Sequence, residues 1–156
     1  MPGYGIVGPD EGTGLLPWSW ANERLTASHD YWLATVRPDG RPHVMPVWGV
    51  WQDGHIWFSS SGASRKTQNL AVNRRAAITT DNPAQPVVVE GSVERRSDEA
   101  AIASFTGWVN AKYDTDYSVD FFADNACFRL RPVWAFGLND GDFPGSPTRW
   151  VFSSES

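Results

Sequence analysis

The sequence contains a single cysteine, Cys127, so no disulfide can form within the chain. That suits a reducing compartment, and the cytoplasm is the expected location. Cys127 falls in a strand-like run and is read as a small buried hydrophobe. An excess of basic charge is also missing. Thirteen Lys and Arg face eighteen Asp and Glu, for a net charge of −5. Nucleic-acid binders show the opposite balance, so no nucleic-acid partner is expected. No run is long and apolar enough to span a bilayer, and no basic stretch followed by an apolar one opens the chain, so neither a membrane span nor a secretory signal is expected. The three histidines, His29, His43 and His55, lack the close spacing of a zinc motif. Asp140-Gly141-Asp142 lacks the further oxygen ligands that calcium takes. No metal site is expected, and no nucleophile–base–acid set is visible.

What the chain does have is aromatic surface. Nine Trp, eight Phe and four Tyr occur in 156 residues. One domain of this length has a real core, but nine indoles exceed what that core absorbs. Some are expected at a subunit interface or in a groove for a flat ligand. Trp48, Trp51 and Trp57 are candidates to keep such a pocket dry.

Residues 1–16 read as an extended arm rich in Gly and Pro. Gly3 to Gly8 matches the pattern G-x-G-x-x-G, but no strand precedes it and Pro9 interrupts it, so it is not read as a dinucleotide site. Pro17 opens a helix to about Ser28, with Trp18, Ala21 and Leu25 on one face. Strands follow at Tyr31–Arg37, Arg41–Gln52 and His55–Phe58, joined by Pro38-Asp39-Gly40 and Asp53-Gly54 turns. A short helix is expected over residues 64–73, with Leu70 and Val72 as its apolar contacts. Further strands are expected at Arg75–Asp81 and Pro86–Arg96, with Gly91 marking a bulge or bend. Ser97 to Lys112 reads as a helix whose Ile102, Phe105 and Val109 form a core stripe. Residues 114–125 carry no clear periodicity. Two strands separated by Pro132 are expected at Ala126–Arg131 and Val133–Leu138, then a loop, a last strand at Thr148–Phe152 and a frayed end. Many antiparallel strands with few helices suggest a barrel, because closure removes exposed edges. Pro46 places part of the second strand at an edge, at a bulge, or against something other than a strand.

Residues 59–70 carry the strongest functional signal. Ser64 is a good N-cap, so Arg65 and Lys66 fall in the first turn of a helix. That end of a helix carries partial positive charge and prefers acids. Two cations there make sense with an anion among them, and backbone N–H groups and serine hydroxyls complete a phosphate site. The alternative is a solvated Arg-Lys pair on a loop.

Three segments in order extend this reading: Thr35–Trp48, a hairpin entering a proline-bearing strand; Ser64–Leu70 after a strand; and Val87–Val93, a later strand. Together they resemble the pyridoxamine 5′-phosphate oxidase-like split β-barrel family, and within it the B-type flavin/deazaflavin (F420) oxidoreductases. The resemblance covers residues 28–96 well, and Thr148–Phe152 is similar to members of that group. It implies a mainly β (α+β) fold: a split β-barrel of six or more strands with short flanking helices, homodimeric. Residues 1–28 would form an arm and helix, and 29–156 the FMN- or F420-binding barrel, in a single domain. By resemblance Arg65 and Lys66 bind the cofactor phosphate, and Ser59 and Ser60 add hydroxyl or backbone contacts beside Ser64. The strand His43, Met45, Pro46, Val47, Trp48 runs along the ring system, and Asn69 matches a motif position that braces the helix. Pro86 stands where pyridoxamine phosphate oxidases have a cofactor-contacting Gln, and Arg149-Trp150 is all that remains of their basic C-terminal substrate motif. Oxidation of pyridoxamine phosphate is therefore not expected. The implied activity is hydride transfer between reduced F420 (or FMN) and a small unsaturated or conjugated acceptor. The alternatives are a flavin or F420 carrier or sensor without turnover, and a haem-binding split barrel.

Overall fold

Alternation along Asp30–Val36 (β1) sends Tyr31, Leu33 and Thr35 inward and leaves Trp32 half exposed. The same period-2 logic runs through the other strands: Pro42–Gln52 (β2), His55–Ser60 (β3), Arg75–Thr80 (β4), Val87–Arg96 (β5), Ala126–Gly137 (β6) and Thr148–Val151 (β7). All pairings are antiparallel, in the order β3-β2-β1-β4-β5-β6-β7. A further pairing of β3 with β6 closes six of these strands into a barrel, with β7 attached outside the ring. The computed structural model describes residues 4–8 and 10–153. Gly3 and Pro9 of the arm, and the end expected to fray at 154–156, lie outside the described residues. Among these residues no helix is long and apolar enough to cross a membrane.

The barrel is split where β2 and β3 part. They pair only from Gly49↔Phe58 to Gln52↔His55. Before Gly49, β2 pairs with β1 alone, while the end of β3 pairs with β6 through Ser59↔Cys127 and Ser60↔Ala126. Pro46 lies on this one-sided stretch, opposite Trp32. A residue with no N–H is tolerated there because no second strand claims a donor. Of the three readings of Pro46, the edge is the one found.

Pro132 does not end a strand. β6 runs unbroken from Ala126 to Gly137, which corrects the two strands expected there. Gly91 pairs with Pro132 and Glu90 with Trp134, so Val133 is an extra residue, a β-bulge. The bulge absorbs the proline and lets β6 change neighbours, from β3 at 126–130 to β7 at 134–137. Gly91 is required here, since a Cβ on it would lie 2.0 Å from the Arg131 carbonyl oxygen.

Among the described residues four α-helices flank the barrel: Trp18–Ala27 (α1), Arg65–Val72 (α2), Glu99–Tyr113 (α3) and Val119–Ala123 (α4). α4, capped by the Ser118 hydroxyl, occupies the segment whose periodicity was unclear. Ala21 and Leu25 of α1 join the barrel core of Leu33, Ile56, Phe58, Ile78 and Leu130. Trp18 packs edge-on against Trp51, Trp150 and Phe152. A second cluster lies outside the barrel, where Ile102, Phe105 and Val109 of α3 cover Val50, Trp57 and Cys127. In α2, Leu70 is buried, but Val72 is 70% exposed and supplies no core contact, contrary to expectation.

Gly91→Ala should lower stability by at least about 2 kcal/mol in urea unfolding, because backbone must move to admit the methyl. Gly107→Ala, on α3 with open space around its Cβ position, should raise it by about 0.5–1 kcal/mol.

Candidate functional site

α2 begins as the chain leaves β3, and its first turn contains no acid. The Ser64 hydroxyl caps it, accepting the Thr67 backbone N–H at 3.2 Å. A relay of hydroxyls ties this cap to the strand. Lys66 Nζ donates to Ser60 Oγ at 3.2 Å, which donates to Ser64 Oγ at 2.8 Å. Ser64 Oγ donates to Thr67 Oγ1 at 3.0 Å, and Thr67 Oγ1 to the Ser61 carbonyl at 2.8 Å. Among the described residues neither Arg65 nor Lys66 takes part in an ion pair. Burial pulls the Lys66 ammonium below the usual lysine range. An unpaired, partly desolvated cation at a helix N-terminus is unfavourable by itself and becomes favourable with an anion beside it.

His43 belongs to the same electrostatic neighbourhood. Loss of solvent, followed by the charges of Arg37, Lys66 and Arg65, holds its imidazole below the usual range. Its Nδ1 is buried without a partner. His43 lies across from Thr35 of β1, whose Oγ1 accepts from Asn69 Nδ2 at 3.0 Å. Asn69 is fully buried and thus braces α2 against β1, while its Oδ1 has no partner.

The residues expected along a ring system do not share one face. His43, Met45 and Val47 lie across from the inward-facing Thr35, Leu33 and Tyr31, so all three sit on the inner face. Val47 is buried in the core and offers only its backbone, whereas Met45, beyond the end of the β2–β3 pairing, is exposed. Pro46 and Trp48 are on the outer face. The Trp48 indole stacks in parallel on Tyr113 at 4.1 Å and 3°, with the His29 ring edge-on to both. Trp51 and Trp57 are buried in the two separate cores, so Trp48 alone of the three expected indoles faces the pocket below.

A cavity of about 210 Å³ opens beside the split. Trp48 and Ser59, Ser60 and Ser61 form its strand side. Phe105 and Val109 of α3, with Tyr117, Phe121, Phe122 and Asn125 around α4, form the other. Ser60 belongs to both the hydroxyl relay and the cavity wall, so cations and aromatic cavity meet at one residue. Of the candidate residues, Ser59, Ser60, Ser64, Lys66 and Trp48 come together here, and His43 and Asn69 lie on the neighbouring strand and helix. The α3–α4 residues were missed as site residues. Phe105 and Val109 read as ordinary core, which they also are; the signal that could have found the others was Tyr117 and Phe121-Phe122 interspersed with aspartates. A larger groove of about 460 Å³ over the bulge shares no residue with this site.

The end of α3 pins the split. Lys112 Nζ donates to the Ser28 and Gly49 carbonyls at 2.6 and 2.8 Å and to Tyr31 Oη at 3.2 Å. Tyr113 Oη donates to the His29 carbonyl at 2.5 Å and accepts the Gly49 N–H at 2.9 Å. Gly49 is the last β2 residue still paired with β3. Burial lowers Lys112 to about 8, against the pull of Asp81 and Asp30.

A closed antiparallel barrel, split between two strands, with a cationic helix start after the end of β3, is a split-barrel protein. The chain belongs to the pyridoxamine 5′-phosphate oxidase family, whose model matches residues 21–138. Among solved structures it is similar to a protein described as an F420 reductase, at 28% identity and TM-score 0.61, over 73% of this chain and 94% of that one. It is also similar to a conserved hypothetical protein from Mycobacterium tuberculosis, at 22% identity and TM-score 0.75, over 99% and 98%. A third is a FAD-binding protein from Mesorhizobium loti, at 22% identity and TM-score 0.65, over 78% and 94%. The last two likenesses concern the fold alone. No curated protein matches the chain.

The lowered Lys112 sets a pH dependence. Above about pH 8 the folded chain has released a proton that the unfolded chain, with a lysine at 10.5, still holds, so stability rises with pH. Lys66, lowered for the same reason, adds to the rise. Between about pH 9 and 10 the Cys127 thiol, pushed up to about 12 by burial, offsets the lysine contribution because unfolded thiols ionise first, and above pH 10 Tyr31 and Tyr113, both raised by burial, turn the slope negative. Urea midpoints should therefore level off between about pH 9 and 10 and fall above it. The gain over pH 7.5 should be on the order of 1 kcal/mol after solvent screening, and Lys112→Met should lose most of it.

Proposed function

We propose that this protein is an oxidoreductase that uses a flavin-type cofactor, F420 in preference to FMN, to transfer a hydride to a small unsaturated or conjugated acceptor. The observation that carries the reading is the shared residue Ser60, where an unpaired lysine at a helix N-terminus meets an aromatic cavity. The residues fit a phosphate-bearing cofactor. Arg65 and Lys66 supply charge, Ser60 and Ser64 supply hydroxyls, and the buried Nδ1 of His43 is an unused polar atom beside them. The one-sided stretch of β2 from His43 to Trp48 offers backbone groups along a flat ring.

A bound flavin or deazaflavin supplies the hydride chemistry, and the protein supplies binding, orientation and shielding. Lys66 and Arg65 hold the phosphate, Asn69 keeps α2 in register with β1, and Trp48 with the α4 aromatics excludes water. Holding two planar reactants together contributes much of the rate. Family membership supports a flavin-type cofactor. The preference for F420 rests on the relative described as an F420 reductase, at 28% identity. A cytoplasmic homodimer is part of the proposal. Trp32, Val44, Met45 and Trp48 leave apolar surface exposed on β1 and β2, which a second copy would cover.

Fluorescence titration should show tighter binding of reduced F420 than of FMN, and oxidation of F420 on adding an enone or quinone. Lys66→Ala or Arg65→Ala should weaken cofactor binding at least about tenfold, the loss of one charge-assisted hydrogen bond, with the apo Tm unchanged or raised. Tight FMN binding without F420 binding overturns the preference, and binding without electron transfer favours a carrier. Sedimentation should give a mass near twice 17.3 kDa.

A further inference from the structure

We propose that a pocket between α2 and the end of β5 binds a small aliphatic carboxylate, held by Arg74 and Arg95. The pocket has a volume of about 120 Å³ and shares no residue with the aromatic cavity or with the groove over the bulge. Leu70, Val93 and Phe128, all buried, form its apolar floor, and Thr67 and Ala71 form its α2 side. Strand register brings the two arginines to its mouth. The Arg74 carbonyl accepts the Val93 N–H at 2.8 Å, one step beyond the Arg75↔Ser92 pair. Arg74 thus lies across from Val93. Arg95 follows two residues along β5, on the same face and opposite Phe128. Diagonal neighbours on one face of a ladder are within reach of each other's long side chains.

Among the described residues neither guanidinium takes part in an ion pair. No carboxylate lines the pocket. Glu94, between Val93 and Arg95, is turned to the opposite face, toward Arg96 and Arg129. From His55 to Thr80 the chain has no Asp or Glu, although its net charge is −5. Two like charges converging on one pocket repel, and an anion between them turns the repulsion into two attractions. The donor set favours a carboxylate over a phosphate. The Thr67 hydroxyl is committed to the Ser61 carbonyl at 2.8 Å and the Val93 N–H to Arg74, so the two guanidinium forks are the donors left. A planar fork matches a carboxylate with two parallel hydrogen bonds. The apolar floor then takes the rest of the molecule. A cavity of about 150 Å³ accommodates benzene, so about 120 Å³ suits a branched chain of about four carbons.

The test is an NMR titration of the full-length protein with 3-methylbutanoate, read from backbone N–H signals, with 3-methylbutanamide and inorganic phosphate as comparison probes. The acid should shift the Leu70, Ala71 and Val93 signals saturably, with a Kd on the order of 1 mM. The uncharged probe and phosphate should each bind there at least about fivefold more weakly. Arg74→Gln and Arg95→Gln should each weaken the acid at least about fivefold, the loss of one charge-assisted contact. Ala71→Glu, at an exposed position of the α2 side, should abolish binding by giving the arginines a carboxylate of the chain's own. Lys66→Ala, outside the pocket, should leave the affinity within about twofold. The proposal is overturned by the absence of saturable shifts at these signals, by equal binding of the acid and the uncharged probe, or by phosphate binding more tightly than the acid. Indifference to both arginine changes, or a loss in Lys66→Ala as large as that in Arg74→Gln, overturns it as well. The pocket and the cofactor cradle are tested by different ligands and different arginines, so either reading can fail while the other stands.

Discussion

The site depends on one departure from regular pairing: β2 and β3 share hydrogen bonds only as far as Gly49 and Phe58, inside a barrel that is otherwise closed. A closed barrel has no free edge and no room between neighbours. Letting two strands part creates both an unpaired backbone edge on β2 and a gap that α3 and α4 can wall. The opening is held in place. Lys112 and Tyr113 grip Gly49 at the fork and tie it to the Ser28 and His29 carbonyls just before β1.

Electrostatic conflict marks the same place. α2 starts with two cations where its dipole prefers acids, and Lys66 is partly desolvated and among the described residues finds only a serine hydroxyl. Some charges elsewhere are paired: Glu94 with Arg96 and Arg129, Arg96 with Asp98, Asp39 with Arg41. The His43 imidazole on β2 is held low first by loss of solvent and then by the charges of Arg37, Lys66 and Arg65.

The aromatic content divides among three environments. Trp51 and Phe58 serve the barrel interior, Trp57 and Phe105 the cluster under α3, and Trp48, Tyr117 and Phe121 the cavity. Phe105 and Val109 serve two of these at once, as the floor of the cavity and as core. The packing that steadies α3 therefore also shapes the pocket, and changes there act on stability and on the site together.

Local sequence was enough for every strand but β6, the Asp53-Gly54 turn, the Ser64 cap with its two misplaced cations, and a bulge or bend at Gly91, since alternation, turn chemistry and capping act within a few residues. It was also enough to place Pro46 at some interruption of the ladder, though not to say which. Tertiary structure alone decided the rest. Pro132 read as a break because a lone strand cannot show that Gly91 opposite it makes room for a bulge. Val47 looked equivalent to its neighbours until the barrel closed over its side chain, and Val72 looked like core until α2 turned it outward. The cavity was invisible for the same reason. Its walls come from residues 48, 59–61 and 105–125, which only the closure of β3 onto β6 and the packing of α3 across β2 bring to a common surface.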